Sequence, residues 1–349
     1  MNRNVKYRVL GVMSGTSLDG IDLSICTFRK NQFWKFNIER STTVSYTKYW
    51  KETLQNLSHK DQNTIDKIDK TYGIFLGKTI NNFLKNEKVD FISSHGHTIF
   101  HQPENSLTLQ IGDGREIARV TKTKTINNFR KKDVTLNGQG APLVPIGDRY
   151  LFPENKYCLN LGGFANISIK KTNQITAFDI CPVNIILNQL CKKLNLEYDD
   201  RGKIARGGKL IPKLLNTLNK LPYYTQNPPK SLAKEWVERQ IIPLINIKYN
   251  TTDLLHTFCE HIAMQIGAIL KDGEALTTGG GAYNLYLIER IKHYSLSKIV
   301  FPDDNIINFK EAMIFAFLGV LKVRNEVNCL KSVTGAKKDN CGGIIHEIK

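Results

Sequence analysis

The stretch Gly11-Val12-Met13-Ser14-Gly15-Thr16-Ser17-Leu18-Asp19-Gly20-Ile21-Asp22 decides how the 349-residue chain is read. A short apolar run, Tyr7 to Val12, leads into it, and Ile21, Leu23 and Ile25 alternate on the way out, the period-2 sign of a half-buried strand. The segment predicts strand, tight turn, strand. Gly15 and Gly20 can take backbone angles closed to other residues. Successive N–H groups in such a turn form a concavity that suits an anion, and Ser14, Thr16 and Ser17 add hydroxyl donors. Asp19 and Asp22 repel a phosphate unless a cation lies between, and Mg²⁺ with its waters is the natural mediator. Asp19 is expected to hold it through water. From this segment alone, an ordinary Gly/Asp hairpin turn is the alternative.

A second hairpin of the same kind favours the anion reading. Tyr157-Cys158-Leu159-Asn160-Leu161 runs into Gly162-Gly163-Phe164-Ala165-Asn166 and then Ile167-Ser168-Ile169. A third glycine cluster, Thr277-Thr278-Gly279-Gly280-Gly281, follows Ala275-Leu276 and precedes a helical pattern at Leu285, Leu287 and Ile288. Two phosphate-type hairpins and a late glycine turn describe an α/β protein with a nucleotide in a cleft between two similar domains. That layout resembles the actin-like ATPase (ribonuclease H-like) superfamily, which includes sugar kinases, acetate kinase and the Hsp70 ATPase domain.

Composition narrows the class. The chain is long enough for two domains and a large core, and its 41% hydrophobic and 23% charged content is ordinary for a globular protein. The opening Met1-Asn2-Arg3-Asn4-Val5-Lys6 has no apolar h-region, and no run approaches the roughly 18 apolar residues of a membrane helix. A cytoplasmic chain with no membrane partner is expected. Seven cysteines without C-x-x-C spacing argue against a disulfide framework or a zinc site. The formal charge of +17 raises a nucleic-acid reading. The basic residues are dispersed, however, and the densest run, Arg130-Lys131-Lys132, lacks an aromatic ladder. A solvated basic surface is therefore expected, with no nucleic-acid partner.

Along the chain, residues 1 to 45 read as strands and turns, and Ile68, Tyr72, Phe75, Leu76, Phe83 and Leu84 trace a helix face. Gly73 to Thr79 imitates a Walker A loop but is one residue short and lies inside that helix. Val89 to Ser94 reads as a strand ending at His95-Gly96-His97-Thr98-Ile99-Phe100-His101. His-x-His can chelate a metal, yet no carboxylate or cysteine follows at ligand spacing, so a loop that hydrogen-bonds a polar substrate fits as well. Asn137-Gly138-Gln139-Gly140-Ala141-Pro142-Leu143-Val144-Pro145 is a Gly/Pro-punctuated loop and the expected crossing between domains, which are placed at residues 1–145 and 146–349. A helix is expected from about Leu254 to Leu270 and another beginning near Glu311.

These pieces, in this order, resemble the 1,6-anhydro-N-acetylmuramic acid kinases of bacterial cell-wall recycling. The likeness runs nearly end to end. It takes in the opening Gly11 to Asp22 segment, Ser94-His95-Gly96-His97-Thr98, Leu109-Gln110-Ile111-Gly112-Asp113, Phe129-Arg130 with Asp133, and Gly138 to Pro145. Asn160-Leu161-Gly162-Gly163 with Ala165-Asn166, Gly279-Gly280-Gly281 with Asn284, Glu311-Ala312 and Ser332-Val333-Thr334-Gly335-Ala336 complete it. The resemblance implies an ATP- and Mg²⁺-dependent kinase that opens the 1,6-anhydro bridge and phosphorylates O6, giving N-acetylmuramic acid 6-phosphate, and it suggests a homodimer. ATP and its phosphates fall to Gly15, Thr16, Ser17, Leu18, Asp19, Gly20, Ile21, Asp22, Gly162, Gly163, Gly279, Gly280, Gly281 and Asn284. The anhydrosugar falls to His95, Gly96, His97, Arg130, Asn184 and Glu311, and the catalytic aspartate to Asp179. Without the resemblance, Asp179 reads as a helix cap or turn former, and Glu311 as favourable first-turn charge on an apolar helix.

Two departures stand out. The family pattern after the aspartate is Thr-Gly-Pro-Gly-Asn, whereas Ile180-Cys181-Pro182-Val183-Asn184 follows here, and Asn128 replaces an Asp before Phe129-Arg130. A related kinase of the same fold acting on a different anhydrosugar is the alternative. A chaperone-type ATPase would need a peptide-binding domain for which no segment is left over.

Overall fold

The chain is described by a computed structural model covering residues 5–15, 18–172, 174–246 and 248–348. It divides into two compact units, Met1–Phe152 with Phe309–Lys349, and Pro153–Asn308.

The first unit is built on β1 (Lys6–Ser14), β2 (Gly20–Lys30), β3 (Trp34–Ser45), β4 (Phe91–Gln102), β5 (Leu107–Ile111) and β6 (Thr125–Asn127). β1 pairs antiparallel with β2 and parallel with β4, β2 continues antiparallel to β3, and β4 runs parallel to β6. The alternation read from the sequence sets the two faces. Leu10, Val12, Ile21, Leu23 and Ile25 share a core with Tyr72, Leu76 and Ile80 of the Gln62–Leu84 helix. The opposite face receives the later part of the Asp304–Val323 helix, where the Ser93 hydroxyl donates to the Phe315 carbonyl at 2.5 Å. That approach is close because residue 11 has no side chain: a Cβ there would stand 1.9 Å from the Ala312 carbonyl oxygen.

The second unit repeats the plan. Its β7 (Tyr157–Leu161), β8 (Phe164–Lys170) and β9 (Ile175–Pro182) form an antiparallel meander, and β7 pairs parallel with β10 (Glu274–Thr278), which pairs parallel with β11 (Lys298–Val300). The order β9-β8-β7-β10-β11 thus matches β3-β2-β1-β4-β6 strand for strand and sense for sense. A duplicated ribonuclease H-like sheet is the actin-like architecture expected from the paired hairpins. The Thr251–Gly267 helix buries Leu255, Phe258, Cys259 and Ile262 in the second core.

The units divide the chain differently from the expected 1–145 and 146–349. Residues from Phe309 onward return to the first unit, and the final strand, β12 (Ile344–His346), pairs antiparallel with β6. The Gly138–Pro145 loop is likewise no crossing but part of the first unit, and the reason is Asp133. This fully buried carboxylate accepts from the Gly140 N–H at 2.8 Å, the Thr334 hydroxyl at 2.9 Å and the Asn340 amide at 2.8 Å. A buried charge demands such partners, so loop and C-terminal segment close together around it. The Asp304–Val323 helix also starts seven residues before Glu311. The Walker-like segment lies within the Gln62–Leu84 helix, as read. All seven cysteines are buried, and no helix among the described residues is long and apolar enough to cross a membrane.

Candidate active site

Thr16 and Ser17 lie outside the described residues. Around them, Ser14 of β1 faces Ile21 of β2 across the hairpin, and the Leu18 N–H donates to the Gly15 carbonyl at 3.3 Å with Leu18 itself at φ 60°. Asp19 is exposed. Asp22 sits opposite Met13 and Thr43, and its Oδ1 accepts the Thr43 hydroxyl at 2.6 Å. Burial pushes the Asp22 carboxyl up and the Asp19 charge adds to this, Thr43 pulling the other way. Two carboxylates beside a turn fit a hard cation with its waters.

His95 and His97 do not chelate together. On a regular strand, residues two apart share a face, but Gly96 adopts φ 75° and the β1–β4 register shifts there. His95 therefore packs its ring on Phe315 at 4.6 Å, on the side of the Asp304–Val323 helix. His97 turns to the other side, where Ser14 and Tyr72 meet it. The His95 Nδ1–H donates to the Gly96 carbonyl at 2.9 Å, leaving Nε2 to accept from the Arg130 Nε–H at 3.0 Å, while Arg130 Nη1 donates to the Gly140 carbonyl at 2.7 Å. Burial pushes Arg130 down to about 10, Glu311 opposing, so the guanidinium stays charged at neutral pH. His95 is held well below the usual histidine range by burial and by Arg130. Glu311 opens to solvent, yet the protein crowded around it, together with Asp22 and Asp148, pushes its carboxyl up against the pull of Arg130 and Lys310. No group of three or more potential metal-ligating His, Cys, Asp or Glu occurs among the described residues.

In the second unit, the turn between β7 and β8 is tied to the start of the Asn184–Lys192 helix. The N–H groups of Val183 and Ile185 donate to the Gly163 carbonyl and that of Asn184 to the Gly162 carbonyl. The N–H groups of Gly162 and Gly163 themselves have no acceptor among the described residues, which leaves them for an anion. The Asn184 amide donates to the Leu161 carbonyl at 3.1 Å and lies 3.6 Å from where a Cβ on Gly281 would stand. Gly279 and Gly281 press on Asn160 and Leu161, whereas a Cβ on Gly280 would meet nothing closer than 3.8 Å. Asn284 caps the Leu285–Tyr294 helix through the Leu287 N–H.

Asp179 lies on β9 directly opposite Asn166, which is opposite Asn160, which is opposite Thr278. Directly paired residues share a face, so a polar row crosses four strands and ends in the carboxylate. The Leu232 N–H donates to Asp179 Oδ2 at 2.9 Å, and the Tyr223 hydroxyl to the Asp179 carbonyl at 2.6 Å. Oδ1 is left without a partner among the described residues. Burial pushes the Asp179 carboxyl up, the Leu232 N–H opposing. The row and the 223–232 support were not assigned from the sequence. Asn160 and Asn166 were visible as polar residues in apolar strands, but the support acts largely through main-chain groups and leaves no sequence signal.

The family model described as anhydro-N-acetylmuramic acid kinase covers residues 7–347. The chain belongs to that family. An anhydro-N-acetylmuramic acid kinase of Actinobacillus pleuropneumoniae serotype 7 is 33% identical over 98% of this chain and 99% of its own. One from Sulfurimonas denitrificans is 31% identical over 97% and 99%, and one from Bacillus cereus strain AH187 is 32% identical over 95% and 96%. Within this kinase family the two departures have local explanations. Ile180, Cys181 and Val183 are buried in the second core, so the side chains that stand for the family's hydroxyl and glycines point inward. Asn128 has φ 58°, a left-handed conformation that asparagine tolerates well.

Proposed function

We propose that the chain is an ATP-dependent kinase that hydrolyses the 1,6-anhydro bridge of anhydro-N-acetylmuramic acid and phosphorylates the freed O6, working in the cytoplasm as a homodimer. The observation that carries this reading is Asp179, with one oxygen fixed by the Leu232 N–H and the other open, in a chain of this family. Asp179 Oδ1 takes a proton from water as its oxygen attacks C1. The C1–O6 bond breaks, O6 attacks the γ-phosphorus, and the bond to the β-phosphate oxygen breaks to release ADP. Burial raises the basicity of Asp179, as a general base requires. Arg130, positioned by His95, and Glu311, Gly96, His97 and Asn184 orient the sugar. The free N–H groups of Gly162 and Gly163 cradle phosphate, the Gly15–Asp22 segment binds ATP through its phosphates, and Gly280 leaves room for the adenosine. Asp19 through water, with Asp22, would hold Mg²⁺, which supplies charge neutralisation on the phosphates.

Incubation with ATP, Mg²⁺ and anhydro-N-acetylmuramic acid tests the reading. The 6-phosphosugar is expected, with ¹⁸O from labelled water at C1. Label in phosphate, or no phosphosugar, refutes it. A kinase for another anhydrosugar would phosphorylate that sugar and leave this one untouched.

A further inference from the structure

The polar row on the second sheet contains an amide that no contact within the chain employs. Ala165 and Ile167 lie in the second core, as do Phe178 and Ile180, so alternation turns Asn166 and Asp179 to the opposite face. On a regular ladder these two would not meet. Ala165 is opposite Cys181, which would set Asn166 against Ile180, but the register slips there and Asp179 comes opposite instead. A bulge of this kind re-aims the side chain beside it. Directly opposed side chains stand about 4.5–5.5 Å apart at Cβ, and one water can bridge two polar groups so placed. Asn166 is half-buried, and its side-chain amide bonds to no other group among the described residues. Across from it, Asp179 has Oδ2 filled by the Leu232 N–H and Oδ1 open. An attacking water has two protons and must aim a lone pair at carbon. With Asp179 Oδ1 as its single acceptor it pivots about that bond, whereas a second acceptor fixes the lone pair.

We propose that Asn166 is a further catalytic residue, whose Oδ1 accepts the second proton of the water that Asp179 deprotonates. This rests on the sugar-kinase reading. The water oxygen bonds to C1, one proton passes to Asp179 Oδ1, and the C1–O6 bond breaks with its electron pair going to O6. The proton held by Asn166 stays on the new C1 hydroxyl. A neutral amide oxygen accepts a hydrogen bond without taking the proton, so it orients the water and leaves the transfer to the carboxylate.

Asn166→Leu keeps a branched side chain and removes the acceptor. In the full-length enzyme kcat should fall about ten-fold, with the KM for ATP and for the anhydrosugar little changed. Methanol has a single O–H proton and needs Asp179 alone. In water–methanol mixtures the ratio of methyl glycoside 6-phosphate to free 6-phosphosugar should therefore rise about ten-fold in the variant. An unchanged ratio, or a loss seen in KM instead of kcat, overturns the proposal. A wild type that makes no phosphosugar overturns the kinase reading and the role of Asn166 with it. The facing of the two side chains is tested apart from activity, on the ligand-free protein with ¹³C-labelled aspartate, Asp179→Asn assigning the signal. Asn166→Asp sets a second carboxyl opposite the first, so one of the pair should titrate above wild-type Asp179. No upward shift overturns the proposal, whatever the product assay gives. The same variant keeps an acceptor oxygen, so its kcat should recover towards wild type at high pH, with the acid limb of the profile moved up. Should Asn166→Leu fail to fold, that titration and that profile decide.

Discussion

The two sheets share one topology but end in different chemistry. The first hairpin, β1–β2, has strands of nine and eleven residues and carries Asp19 and Asp22 at its turn and on its returning strand. The second, β7–β8, has strands of five and seven residues and offers two free amides with the carboxylate placed one strand further, on β9. A turn that bears carboxylates calls for a cation before it can meet phosphate, while a turn of bare amides meets phosphate directly. One strand order thus carries two different sets of polar groups.

The sharpest way to break that comparison is to remove the carboxylate of the second sheet. Asp179→Asn keeps its shape and the Leu232 contact but not its basicity, so kcat should fall about 10²–10⁴-fold with ATP and sugar still bound. Near-normal turnover in a steady-state assay would remove Asp179 from the chemistry. In the first sheet, Asp19→Asn should weaken the dependence on Mg²⁺ about 10–100-fold, as expected for a contact made through water. A magnesium titration of activity reads this, and an unchanged midpoint would show that the first turn works without a cation.

Smaller effects sharpen the contrast. Gly280→Val enters open space, so the fold should hold while the ATP Kd rises about ten-fold and sugar binding stays. Calorimetry with each ligand decides, equal loss of both marking a folding defect. The least effect is expected from another carboxylate of the first unit, Asp69, which accepts the Gly112 N–H at 2.6 Å and whose carboxyl burial pushes up to about 6, Asp113 adding to the shift. A raised carboxyl favours the folded state only below its ordinary value near 4, and that contribution is lost as pH rises to about 6. Asp69→Asn should match the wild type near pH 4 and be more stable by about 1–2 kcal/mol above pH 6. Thermal melts across that range check it, and a constant difference would mean that Asp69 does not titrate with folding.

Much of this was legible from glycine, period and motif order. Both hairpins and the Gly279–Gly281 turn stand where strand periodicity and turn residues placed them, because those signals are local. What escaped was long-range. Nothing near Asp133 shows that its partners are Thr334 and Asn340, and nothing in Phe309–Lys349 marks a return to the first unit. The opposed faces of His95 and His97 hang on the left-handed Gly96, which alternation alone would have missed.

The second unit is one uninterrupted segment, whereas the first is written in two pieces around it. On the ribosome, Pro153–Asn308 can therefore fold as soon as it emerges, while Asp133 must wait for residues made about two hundred positions later. Late pairings of this kind slow folding and lengthen the exposure of unfinished core. A chain arrested before Thr334 would leave the laboratory with a finished second unit and a first unit holding an unpartnered charge, which is the form that quality-control proteases would meet.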